Sequence, residues 1–122
     1  MSNDIFKLKE LEKLVGHRFN DPDVLRQALT HASLERSSWN VYERLEFLGD
    51  RVLGLVVSET LLKRFPNERE GQISRRYANL VKRDSLAVVA RKIKFGNYLL
   101  ISTGEEAAGA RESVTILSDA LE

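Results

Sequence analysis

The residues most able to do chemistry lie in the stretch YERLEFLGDRVLGLVV, Tyr42 to Val57. Glu43, Glu46 and Asp50 fall at i, i+3 and i+7, so a helix carries them on one face. Continuing that stripe gives Leu53, Val57 and Leu61, while the opposite face carries Leu45, Leu48, Val52, Leu55 and Val56. Apolar residues on two sides predict a central, mostly buried helix. Carboxylates in such surroundings are costly unless they are paired or bind a metal. The last four residues, Asp119-Ala120-Leu121-Glu122, supply a second pair of acids at i, i+3. Two helices would then each offer two acids. Four convergent carboxylates with no histidine or cysteine make a hard, oxygen-rich site, suited to Mg²⁺ or Mn²⁺ rather than zinc. A metal held there would acidify a bound water and offset charge on a leaving oxygen, which is the chemistry of phosphoryl transfer. For Asp119 and Glu122 alone, the competing reading is an ordinary pair on an exposed helix. The apolar setting of Glu46 and Asp50 favours a functional role for them.

These acids need helices to position them, and the punctuation of the chain places those helices. Asp4 to Leu14 alternates apolar and charged residues at helical spacing, and Gly16 stops it. Asn20-Asp21-Pro22-Asp23 reads as a cap with proline in the first turn, opening a helix through about Ala32. A polar loop, Ser37 to Asn40, precedes the long helix, which runs from about Val41 to Arg64 and breaks at Phe65-Pro66-Asn67. Gly71 to Lys82 forms the next helix. Asp84 or Ser85 can cap another through about Ile93. KFGNYLLIS reads as an extended or irregular connector and TGEEAAGARES as a loop, and helix resumes at about Ser113. The expected fold class is all-α, with about six or seven helices around a central buried helix.

The chain has 122 residues, 43% of them hydrophobic, which suits one domain with a single core. It has no cysteine, so disulfide scaffolds and thiolate metal sites are excluded. No apolar leader opens the sequence, and no run is long enough to span a membrane. A soluble, cytoplasmic protein with no membrane partner is expected. The net charge of +1 conceals an asymmetry. Between Gly71 and Tyr98 seven basic residues face one acid, Asp84, so that segment carries +6 and the rest −5. A basic region beside an acidic one suits an anionic polymer approaching a metal-loaded pocket, although on charge alone a solvated helix face is the simpler reading.

The strings themselves carry a resemblance. ERLEFLGDRVLG resembles the signature helix of the ribonuclease III family of double-strand-specific endoribonucleases. LRQALTHASL is similar to that family's early helix with its His-x-Ser element, EGQISRRYANLVKRDSLA to the segment after the signature helix, and ILSDALE to its second acidic motif. The four occur in family order across about Phe19 to Glu122. The resemblance implies that Glu46, Asp119 and Glu122 are metal ligands, and that Asp50 and Glu122 are the catalytic residues. It implies supporting roles for Glu43 and Glu70. It also implies that Phe47 inserts into a partner subunit of a homodimer, where the alternative is plain core packing. His31 and Ser33 match a region that touches RNA, with a polar helix cap as the alternative for His31. Two positions depart from the family: Tyr42 stands where Asn is common and Arg51 where Ala is frequent.

The function so implied is divalent-metal-dependent hydrolysis of double-stranded RNA in rRNA and mRNA processing. The metal is Mg²⁺, or Mn²⁺, and the products carry 5′-phosphates and two-nucleotide 3′ overhangs. The basic segment, through Arg75, Arg76, Lys82 and Arg83, would grip backbone phosphates without reading bases. Residues 1–122 would form the endonuclease domain, C-terminally incomplete, with no double-stranded-RNA-binding domain after it. The rival reading is a catalytically inert dimeric module that binds double-stranded RNA in this truncated form.

Overall fold

The computed structural model describes residues 2–36 and 38–122. Seven α-helices follow one another: α1 Ser2–Val15, α2 Pro22–Leu29, α3 Val41–Arg64, α4 Glu70–Val81, α5 Arg83–Lys92, α6 Thr103–Ala107 and α7 Val114–Leu121. Three 3₁₀ turns, Ala32–Leu34, Phe95–Tyr98 and Ala110–Glu112, complete the set. No strand forms among the described residues, and the fold is all-α as expected. No described helix is long and apolar enough to cross a membrane.

Local signals fixed several boundaries. Asp21 caps α2 by accepting the Asp23 N–H at 3.0 Å, with Pro22 in the first turn. Gly16 ends α1 with φ +71°, and α3 begins and ends where its flanking loops predict. Of the loop expected over Ser37–Asn40, Ser37 lies outside the described residues.

Other boundaries shift for tertiary reasons. α2 stops at Leu29 rather than continuing to Ala32, because its next residues pair with a distant segment. The His31 N–H donates to the Leu100 carbonyl, and the Leu100 N–H donates to that of Leu29, both at 2.9 Å. Neither Asp84 nor Ser85 caps α5. Its capping position is Lys82, with no side-chain bond, and the Ser85 hydroxyl donates to the Asn79 carbonyl. The TGEEAAGARES loop is helical in part: the Ser102 hydroxyl accepts the Glu105 N–H and starts α6.

The core lies away from α3. Leu8 and Leu11 of α1, Leu25 and Leu29 of α2, Leu86, Ala87 and Ala90 of α5, and Leu117 of α7 enclose it with Phe95, Leu99 and Ile101. α3 buries only Tyr42 and Leu61. Its Phe47, Leu48, Val52, Leu55, Val56 and Leu62 are all more than half exposed, Leu55 reaching 69%. The expectation that this helix is mostly buried is therefore corrected within one chain. α2 and α4 pack against it, and its remaining apolar face has no cover from the described residues of the same chain. An exposed apolar stripe of this length is more than a free monomer ordinarily shows.

Candidate metal centre

α3 and α7 meet near the N-terminal half of α3, and one glycine permits it. A Cβ on Gly49 would lie 1.7 Å from the Glu122 main-chain oxygen. Glycine inside a helix costs stability, so its presence here marks a close approach. With α7 seated on Gly49, its acids reach those of α3. Glu46, Asp119 and Glu122 each offer a carboxylate oxygen, and these oxygens lie within 4.8 Å of one another. They line an open cleft of about 710 Å³ with Glu43, Phe47, Asp50, Arg51, Arg83 and Ser118.

The acids strain against one another. Burial first, then the charges of Asp50, Glu46 and Asp119, push the Glu122 carboxyl up to about 7. Burial, then Asp119 and Glu43, raise that of Glu46. Beneath them Tyr42 is 7% exposed, and burial followed by the same acids pushes its phenol well above the usual range. Two cations relieve the edges. Arg83 lies 3.9 Å from Asp119, and Arg51 pairs with Asp50 at 3.1 Å. Both pairs are solvent-accessible and contribute little to stability.

The donor set fits a hard cation. All three convergent donors are carboxylate oxygens, and clustering raises the free energy of their charged forms. Two ligands of one Mg²⁺, each about 2.1 Å from it, stand at most about 4.2 Å apart. Side-chain rotation closes the small remainder. Asp50 faces the same cleft from its edge, exposed and outside the convergent three.

The other predicted residues scatter. Glu70 opens α4, accepts the Ser74 hydroxyl at 2.8 Å and does not line the cleft. α4 crosses α3 where Tyr77 meets Gly54, and Glu70 lies about two turns before that crossing. Arg76 is committed elsewhere: it binds Glu68 in a fork at 2.7 and 2.8 Å and lies 3.7 Å over the Phe65 ring. Arg75 and Lys82 are exposed. His31 accepts the Ser33 N–H at Nδ1, 3.1 Å, which assigns its proton to Nε2. Ser33 in turn accepts the Ser102 N–H at 3.2 Å. The His31 ring packs edge-on to Tyr42, 5.9 Å between centroids. This pair thus performs the capping job and stands beside the residue that underlies the acids. Phe47 is 61% exposed at the cleft margin, so its alternative as a core residue does not hold within one chain.

Known proteins resemble the chain over most of its length. A family model described as ribonuclease-III-like covers residues 21–122. The chain belongs to the ribonuclease III family. It is 45% identical to ribonuclease 3 of Histophilus somni over 95% of its own length and 51% of the relative's. With ribonuclease 3 of Methylococcus capsulatus the identity is 49%, over 93% and 48%. The chain thus spans about half the length of the curated relatives it matches. Two solved structures of the ribonuclease III nuclease domain from Campylobacter jejuni superpose with TM-scores of 0.83 at 44% identity, one over 94% of this chain and 77% of that one. That structure is described as flexible in a region involved in dimer formation.

Proposed function

We propose that residues 1–122 form the endonuclease domain of a divalent-metal-dependent endoribonuclease that cuts double-stranded RNA as a homodimer in the cytoplasm. The observation that carries this reading is the convergence of Glu46, Asp119 and Glu122 on the floor of one open cleft. A bound Mg²⁺ or Mn²⁺ supplies a water acidic enough to attack at neutral pH and a counter-charge for the phosphodiester. Glu46, Asp119 and Glu122 hold that ion. Asp50, paired with Arg51 and bonded to Glu122 at the edge of the same space, orients the attacking water. Arg83, beside Asp119, takes a phosphate oxygen of the bound strand. Arg75 and Lys82 hold more distant phosphates, with shape rather than base sequence selecting the duplex. His31, packed edge-on to Tyr42 and bonded to Ser33, would shape the RNA-facing side beside the cleft, which Glu43 lines.

The exposed apolar face of α3 is the natural place for a second copy, with Phe47 entering its partner. Glu70, distant from its own cleft, would act near the dimer's RNA-binding valley. Each subunit would then cut one strand, and the family resemblance supports products with 5′-phosphates and two-nucleotide 3′ overhangs in rRNA and mRNA processing. An inert duplex-binding module is disfavoured because all four acids are present and three converge. The deciding experiment incubates long duplex RNA with the protein and Mg²⁺, beside Asp50→Asn. Cutting by the parent, with loss of more than tenfold in the variant at unchanged duplex binding, is expected. A variant that cuts within tenfold of the parent would remove Asp50 from the mechanism.

A further inference from the structure

Among the described residues, Arg51 is the one cation that touches both the acid cleft and the exposed face of α3. Its guanidinium lies 3.7 Å over the Phe47 ring, donates to the Asp50 carboxylate at 3.1 Å and lines the cleft beside the convergent acids. Nη1 also approaches the Phe47 carbonyl at 3.4 Å, so the head group is held at three points of one helix turn. We propose that Arg51 is a tethered, displaceable cation of the cleft: it neutralises Asp50 when no substrate is present and transfers to a backbone phosphate when RNA enters.

The chemistry supports such a transfer. Aspartate next to a guanidinium in water is a weak pair, and 59% and 51% of the two side chains remain exposed. A phosphate diester offers the same guanidinium two non-bridging oxygens for a fork, whereas Asp50 takes only one contact, Nη1 to Oδ2. Transfer of Arg51 to the phosphate releases the Asp50 carboxylate from this pair as the substrate arrives, leaving it to orient the water. Stacking on Phe47 keeps the head group at the cleft instead of in bulk solvent. A cation here also opposes any metal ion held by Glu46, Asp119 and Glu122. A unit charge about 6 Å from a divalent ion in a near-aqueous medium alters its affinity about tenfold, and physiological salt trims that to about threefold. Arg51 is thus a positioning residue with opposite effects on the two ligands of the cleft.

This inference rests on the proposed function, and its test separates the two. Mn²⁺ affinity is measured by the paramagnetic signal of the free ion, and duplex RNA binding is measured without divalent metal across a salt series, for the parent, Arg51→Ala and Arg51→Lys. Arg51→Ala is expected to bind Mn²⁺ about three- to tenfold more tightly, while its duplex affinity falls and its log–log salt slope drops by about one unit. Arg51→Lys is expected to keep the parent's slope and most of its weak metal affinity, because the charge remains. Fold damage would lower both affinities together, which is the opposite pattern. Unchanged or weaker Mn²⁺ binding in Arg51→Ala overturns the role assigned to Arg51, as does an unchanged salt slope. A parent that binds no Mn²⁺ overturns both this inference and the metal-dependent function.

Discussion

Gly49→Ala isolates the contact that assembles the cleft. The added methyl would stand 1.7 Å from the Glu122 main-chain oxygen, whereas ordinary contact begins at 3.4 Å. The end of α7 must therefore retreat by about 1.7 Å, since α3 is a long helix packed on two neighbours and α7 meets it with its last turn. Asp119 and Glu122 would move together away from Glu46 by up to about 1.7 Å, a gap larger than the remainder side-chain rotation has to close for one Mg²⁺. Alanine meanwhile favours the helix itself by about 0.5–1 kcal/mol over glycine. The expected result is unchanged or slightly greater helicity by circular dichroism, with Mn²⁺ affinity reduced tenfold or more and cleavage reduced in parallel. Calorimetric titration with Mn²⁺ reads this directly. An alanine variant that binds Mn²⁺ within threefold of the parent would show that α7 can seat its acids without this approach, and the reasoning from Gly49 would fail.

Metal affinity should fall by about tenfold between pH 8 and pH 6, because the ion must then displace a proton from Glu122, whose carboxyl is held at about 7. The same raised value means that the folded state binds more protons than the unfolded state between about pH 4.5 and 7. The metal-free protein should therefore lose stability as pH rises through that window, by about 1 kcal/mol once solvent screening is allowed for. Thermal unfolding at pH 5.5 and 8 checks it, and a higher melting temperature at pH 8 would contradict the assigned repulsion. Charge reversal at Arg75 and Lys82 should flatten the salt dependence of duplex binding by about one unit per lost phosphate contact. Arg76→Ala should instead leave that slope unchanged and lower the melting temperature, since Arg76 is tied to Glu68 and Phe65. Phe47→Glu should shift the protein towards monomer in sedimentation equilibrium; an unaltered assembly would place the α3 interface elsewhere.

The sequence by itself determined what depends on neighbours along the chain. The limits of α3, the Asp21–Pro22 start of α2, the glycine stop of α1 and the acids at i, i+3 on two helices are all local consequences of periodicity and capping. The convergence of Glu46, Asp119 and Glu122 was legible too, once the family resemblance linked two acidic motifs 73 residues apart, Glu46 and Asp119. Only the tertiary structure decided which surfaces are covered. Periodicity reports that α3 is apolar on two sides, but burial requires a partner, and the core formed instead among α1, α2, α5 and α7. Likewise Arg75 and Arg76 are adjacent and alike in sequence, yet a fork to Glu68 and a stack on Phe65 remove Arg76 from the free charges. Gly49 carried a signal, a glycine inside a long helix, but what approached it came from the far end of the chain. Contacts between residues distant in sequence depend on how helices pack, and no local pattern encodes that packing.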